Sequence, residues 1–168
     1  PSCARVVYEF YGGDQGPLAR LKDVVAMADK CDAAQFTREE ILAPTGWVLL
    51  SFLMDPRTGL GRYRDYRISN YQLMDELVDY LRAHPIEEIL ALSDVQERVQ
   101  RYFEQEALFR DMLLAHSWTR GNAIVTDLRG IPETFVGNRH VIYALFPEQN
   151  ISIRIFDGKD KAFCVFSV

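Results

Sequence analysis

The sequence predicts an α/β protein that is mostly helical, with a helical part followed by a small α/β part. Apolar residues recur at helical spacing through most of the chain, as they do after the capping residue Ser69. Past His116 the period changes, and isoleucines alternate with polar residues over 151–155, which is typical of a strand with one buried face. We therefore divide the chain near Ser117, into a helical part at 1–116 and an α/β part at 117–168.

Helix caps and stop signals define the elements of the helical part. Thr37, Ser69 and Ser93 are placed to cap helices, and Thr37 begins a capping box that Glu40 completes. The predicted helices lie at residues 2–11, 18–33, 37–43, 45–54, 69–84, 86–92 and 93–116. The apolar run at 45–54 alone also allows a strand.

The α/β part is predicted from shorter signals. Strands are expected at 123–128 and 151–156, and Phe135 and Val136 suggest another short strand. A helix is expected at 138–146. Asp157 and Gly158 indicate a hairpin turn, so that a strand at 162–168 would pair with the strand at 151–156.

Composition limits the classes of function. The chain has 168 residues, of which 48% are hydrophobic and 26% charged, and its net charge of -5 gives no overall basic field for nucleic acid. Three widely spaced cysteines favour a reducing, cytoplasmic setting. The longest apolar run, at 47–54, is too short to cross a bilayer, so we expect no membrane association.

Two carboxylates are the first candidates for chemistry. Asp29 and Asp32 are three residues apart at the end of an apolar helix, so they share one face. Paired carboxylates are suitable ligands for Mg²⁺ or Mn²⁺. The competing interpretation is a solvated, charged helix end. Asp55, which also ends an apolar segment, is the rival to Asp32 as a metal ligand.

Arginines are the candidates for binding phosphate. One glycine-rich loop holds four of them, and a fifth follows Asn138 at a predicted helix start: Arg57, Arg62, Arg64, Arg67 and Arg139. Guanidinium groups match phosphate oxygens, whereas in a solvated loop Asp55 and Asp65 would simply pair with these arginines. The histidines form no site by sequence, and His140 is interpreted as a surface or cap residue.

Several segments resemble the DHH phosphoesterase superfamily. Residues 21–36 are similar to its fourth metal-binding motif, with Val24-Val25-Ala26-Met27 matching the helix and Asp32 matching the ligand. Residues 1–11 resemble the helix that follows the DHH signature, 44–70 a bacterial exopolyphosphatase-related, RecJ-like subgroup, and 138–168 the start of a DHHA1 domain. The resemblance implies a metal-dependent phosphoesterase using Mn²⁺ or Mg²⁺, with a phosphorylated small molecule, short oligonucleotide or polyphosphate as substrate.

The chain also departs from that family. It contains no Asp-His-His, no N-terminal Asp-x-Asp element and no Gly-Gly-Gly-His. We therefore expect an internal piece of a longer enzyme, inactive by itself and prone to self-association through surfaces that the rest would cover. A non-catalytic helical module that binds a nucleotide or a protein is the alternative.

Overall fold

The computed structural model describes residues 1–158 and, for the backbone alone, 164–167. It confirms the predicted fold class, because helices fill the chain up to His116 and a small mixed sheet lies at the C-terminal end. The helices are α1 Cys3–Phe10, α2 Lys22–Asp32, α3 Arg38–Leu42, α4 Gly46–Met54, α5 Asn70–Ala83, α6 Ile86–Ala91, α7 Ser93–His116 and α8 Val141–Leu145.

Two of the three predicted caps are present as hydrogen bonds. The Ser69 hydroxyl accepts from the backbone N–H of Gln72, and Thr37 forms the full capping box with Glu40. The Ser2 hydroxyl, which was not predicted as a cap, accepts from the Arg5 N–H. The third prediction is wrong, because the N-cap of α7 is Leu92 and Ser93 is already helical. The arginine loop after α4 contains two short 3₁₀ turns, Pro56–Thr58 and Leu60–Arg62.

A four-stranded sheet follows α7, in the order β1-β2-β3-β4. The strands are β1 Ser117–Arg120, β2 Ala123–Asp127, β3 Ile151–Asp157 and β4 Cys164–Ser167. β2 and β3 are parallel and α8 lies between them in sequence, while the two outer pairs are antiparallel. The predicted pairing of β3 with the following strand is confirmed over 164–167, and the other residues of that predicted strand lie outside the described ones.

Three predictions in the α/β part are wrong. The strand β1 was not expected, and Phe135 and Val136 form no strand, because the Val136 N–H donates to the Gln105 side chain rather than to a neighbouring strand. Ile151 was expected to be buried, but it is 44% exposed at the start of β3.

Two apolar clusters hold the structure together. The first joins α4, α5, α6 and the beginning of α7, with Leu50, Leu77 and Ile89 almost fully buried. The second joins the end of α7 to α3, α8 and β2, and it includes Leu113 and Ile142. Because the second cluster includes residues on both sides of Ser117, the sheet is packed directly onto the helical part.

Helix α1 leaves an apolar face uncovered. Val6, Val7, Phe10 and Tyr11 are each at least half exposed, and Phe10 is 80% exposed. Among the described residues, no helix combines the length and the hydropathy needed to span a membrane.

Candidate functional site

A cleft of about 460 Å³ brings several of the predicted residues together. It lies where α2, α4, the turn after α4 and the segment leading into α8 meet. Asp32, Arg57 and Arg139, which the sequence singled out, all line it. Asp55 and His140 line it as well, and Phe36 and Trp47 form an aromatic wall.

Asp55 links the two arginines of the cleft. Its Oδ1 accepts from both the backbone N–H and the Nε of Arg57, each at 2.9 Å, and its Oδ2 lies 3.5 Å from Nε of Arg139. Burial by itself raises the pKa of Asp55, but the hydrogen bonds from Arg57 and the charges of Arg57 and Arg139 lower it below its usual value. The carboxylate is therefore ionised at neutral pH; it holds Arg57 by hydrogen bonds and interacts with Arg139 as an ion pair without a hydrogen bond.

The segment that carries Arg139 and His140 is held by buried contacts. Gly137 packs so closely on α7 that a Cβ there would lie 2.0 Å from Cδ1 of Phe109, which leaves room only for glycine. The next residue, Asn138, is 1% exposed and donates to the Ile41 carbonyl and the Tyr102 hydroxyl. Its own Oδ1 accepts from the His140 backbone N–H at 3.1 Å.

His140 is the N-cap residue of α8, as the cap interpretation predicted, but its side chain makes no capping hydrogen bond and lines the cleft instead of facing solvent. Its ring lies against Phe36 and Phe52, with centroid distances of 5.1 and 5.9 Å. Burial, and secondly the charge of Arg139, lower the pKa of His140 to about 4. The imidazole is consequently neutral at physiological pH, so it can either donate or accept a hydrogen bond. The position of His140 directly after Asn138-Arg139 was the one signal for this role in the sequence.

Asp29 and Asp32 have different surroundings. Asp29 accepts from the Ser2 N–H at 2.7 Å and from Nε of Arg5 at 2.8 Å, contacts that lower its pKa to about 2. Asp32 is exposed at the cleft and has no hydrogen-bond or ionic partner among the described residues.

A complete metal site does not arise from the described residues. No cluster of three or more His, Cys, Asp or Glu side chains in residues 1–158 is arranged to hold a metal ion. Asp55 is occupied by arginines and Asp29 by Arg5, which leaves Asp32 as the carboxylate at the cleft with no competing cation.

The remaining arginines of the loop do not line the cleft. Arg62 donates to the carbonyls of Gly59 and Thr134 at 2.9 and 2.6 Å, and Arg67 pairs with Asp94 on α7. Arg64 is exposed and makes no hydrogen bond or ion pair within the described part of the chain. Of the two pairings in the solvated-loop interpretation, Asp55 does bind Arg57, whereas Asp65 binds Arg101 of α7.

A smaller cavity, of about 150 Å³, adjoins the cleft through Arg57. Arg62 and Arg154 also line it, so three guanidinium groups surround one small space. Arg154 lies on β3 and has no carboxylate partner among residues 1–158, and burial lowers its pKa. Sequence reasoning missed this residue, because in an alternating strand an arginine is expected to face solvent.

Comparison with known proteins identifies a similar solved structure. No protein-family model matches the chain, and no curated protein sequence matches it. Among solved structures it is similar to a pGpG-specific phosphodiesterase, PggH from Vibrio cholerae, at 45% sequence identity and a TM-score of 0.86. The match covers 96% of this chain and 54% of the other, so the chain spans about half the length of that protein. Along nearly its whole length, therefore, the chain resembles part of a phosphodiesterase for a linear dinucleotide.

Proposed function

We propose that this chain forms part of a DHH-family phosphodiesterase that hydrolyses short linear oligonucleotides, with pGpG as the expected substrate. The observation that supports this most strongly is the 45% identity over 96% of the chain to the pGpG-specific enzyme. The residues quoted for the DHH resemblance lie in the same stretch of chain, and their Asp32 lines the cleft together with two arginines.

The chemistry of the cleft suits a nucleotide. Arg57 and Arg139 present guanidinium groups that bind phosphate oxygens through charge-assisted hydrogen bonds. Trp47 and Phe36 offer apolar ring surface on which a base can stack. The neutral ring of His140 lines the same cleft as the arginines, where it can donate or accept a hydrogen bond. In this assignment the chain binds and orients the substrate.

Metal dependence belongs to the same proposal. We assign Asp32 as the ligand that this chain contributes to Mn²⁺ or Mg²⁺, with Asp29 behind it. Asp29 lies three residues before Asp32 on α2, and it accepts hydrogen bonds from Ser2 and Arg5. These bonds hold the end of α2 that bears Asp32 against the start of α1. One free carboxylate does not hold an ion of this kind at useful affinity, so the other ligands would come from outside the described residues.

The alternative function is a nucleotide-binding module without catalysis. It is favoured by the incomplete metal site, because arginines and aromatic rings alone suffice for binding. Turnover separates the two functions. The intact protein hydrolyses pGpG to mononucleotides if the first is right, and binds it unchanged if the second is.

The role of the arginines is tested by steady-state kinetics on pGpG. Arg57→Ala and Arg139→Ala should each raise KM about 10- to 100-fold, since a charged hydrogen bond is worth roughly 1.5–3 kcal/mol. The increase should shrink as salt is added. Arg82→Ala is the matched control, because Arg82 is exposed on α5 and its ion pair is with Asp79. Unchanged KM in both cleft variants would remove the phosphate site from this cleft.

A further inference from the structure

The cleft continues into a second lobe of equal size. Beyond Arg139 and His140 lies another open cavity of about 460 Å³, and Phe36, Arg139 and His140 line both spaces. Each lobe falls within the range of about 300–1,000 Å³ that is usual for ligand sites. The two lobes therefore adjoin each other, with Arg139 at their common boundary.

Two adjoining lobes with an arginine between them suit a linear dinucleotide, an inference that rests on the proposed function. A dinucleotide has two bases on either side of one linking phosphate. With that phosphate at Arg139, one base lies against Trp47 and Phe36 in the first lobe. The other base then lies in the second lobe, where Tyr143 and Arg38 are the side chains that can stack or donate.

Arg38 is held in a way that leaves its outer donors unused. It is the first residue of α3, and its Nε donates to the Ala144 carbonyl of α8 at 3.1 Å. Its two terminal nitrogens have no hydrogen-bond or carboxylate partner in the described part of the chain. A guanidinium group fixed through Nε, with both outer nitrogens free, presents the paired donors that match O6 and N7 of guanine.

We propose that the second lobe is a base-specific subsite in which Arg38 selects guanine over adenine in the second nucleotide of the substrate. Adenine carries an amino group where guanine carries O6, so it offers one acceptor and one donor to the same pair of donors. Arg38 is thus a specificity-determining residue, separate from the phosphate-binding Arg57 and Arg139.

The test is the preference for pGpG over pApA in the intact protein. We expect Arg38→Ala to reduce the ratio of the two kcat/KM values by about 5- to 150-fold, the usual range for one bidentate base contact. Arg38→Lys should lose most of the preference too, because lysine keeps the charge but lacks the fork. The exposed Arg20, which lines neither lobe, supplies the control Arg20→Ala.

Partial misfolding of a variant does not change the ratio of the two kcat/KM values, because both substrates are hydrolysed by the same folded fraction. The corresponding ratio of dissociation constants, measured in a chelating buffer, gives a readout independent of turnover. The kcat/KM ratio stays unchanged in Arg38→Ala if activity on both dinucleotides is kept or falls equally. That result would overturn base selection and leave the phosphodiesterase proposal intact. Failure of the wild-type protein to bind or hydrolyse either dinucleotide would instead refute the proposed function itself.

Discussion

Replacing Asn138 by alanine tests whether one buried amide fixes the segment that forms the cleft. The side chain makes three hydrogen bonds, to Ile41, Tyr102 and His140, and it is 1% exposed. At roughly 0.5–1.5 kcal/mol for each bond, their loss should lower the free energy of unfolding by about 2–4 kcal/mol. For a chain of this length that corresponds to a fall in Tm of about 5–15 °C.

The matched variant is Tyr102→Phe. It removes the hydroxyl but keeps the ring and the other two bonds of Asn138, so the expected loss is only about 1 kcal/mol. Urea unfolding followed by circular dichroism measures both values, and the double variant shows whether the two changes share one interaction. A loss below 1 kcal/mol for Asn138→Ala would refute the reasoning, because it would mean that water replaces all three bonds without cost.

Three further predictions concern the metal ligand, the histidine and the exposed helix. Asp32→Ala in the intact protein should abolish turnover with an unchanged Tm, and Asp55→Ala should have a milder effect on kcat; the reverse order would show that Asp55 is the ligand. His140 has a pKa of about 4 when folded and 6.5 when free, so the unfolded chain binds its proton first and stability should fall as the pH drops from 6.5 towards 4. His140→Asn should flatten that slope in unfolding experiments at several pH values, and an equally steep slope would place the titrating group elsewhere. Phe10→Glu should reduce the self-association that we predict from the apolar face of α1, and sedimentation that shows monomers for both proteins would count against it.

Local signals in the sequence were sufficient for most of the helices. The caps at Thr37 and Ser69 depend on residues within three positions, so they are visible without a structure. Ser93 has the same signal but lies one residue inside α7, because the backbone turns at Leu92 and the Ser93 hydroxyl bonds to Arg67 instead. The strand β1 was missed because only its pairing with β2, and no alternation of its own, distinguishes it.

The candidate site could be predicted only in part. Asp32, Arg57 and Arg139 were chosen for residue type and spacing, and the fold brings all three to one cleft. His140 and Arg154 were not recognised, because their surroundings are made by residues far along the chain. Residue type alone also does not show that Arg57 lines the cleft whereas Arg67 does not. Arg67 pairs instead with Asp94, which is on α7 and distant in sequence.

In the phosphate site that we propose, the placement of Asp55 between two arginines makes phosphate binding an exchange of partners. An arriving phosphate meets guanidinium groups that already have a carboxylate neighbour, so the gain is the difference between two similar interactions. Each arginine that binds the phosphate gives up part of its interaction with Asp55, and the same carboxylate is present to take the arginines back when the phosphate leaves.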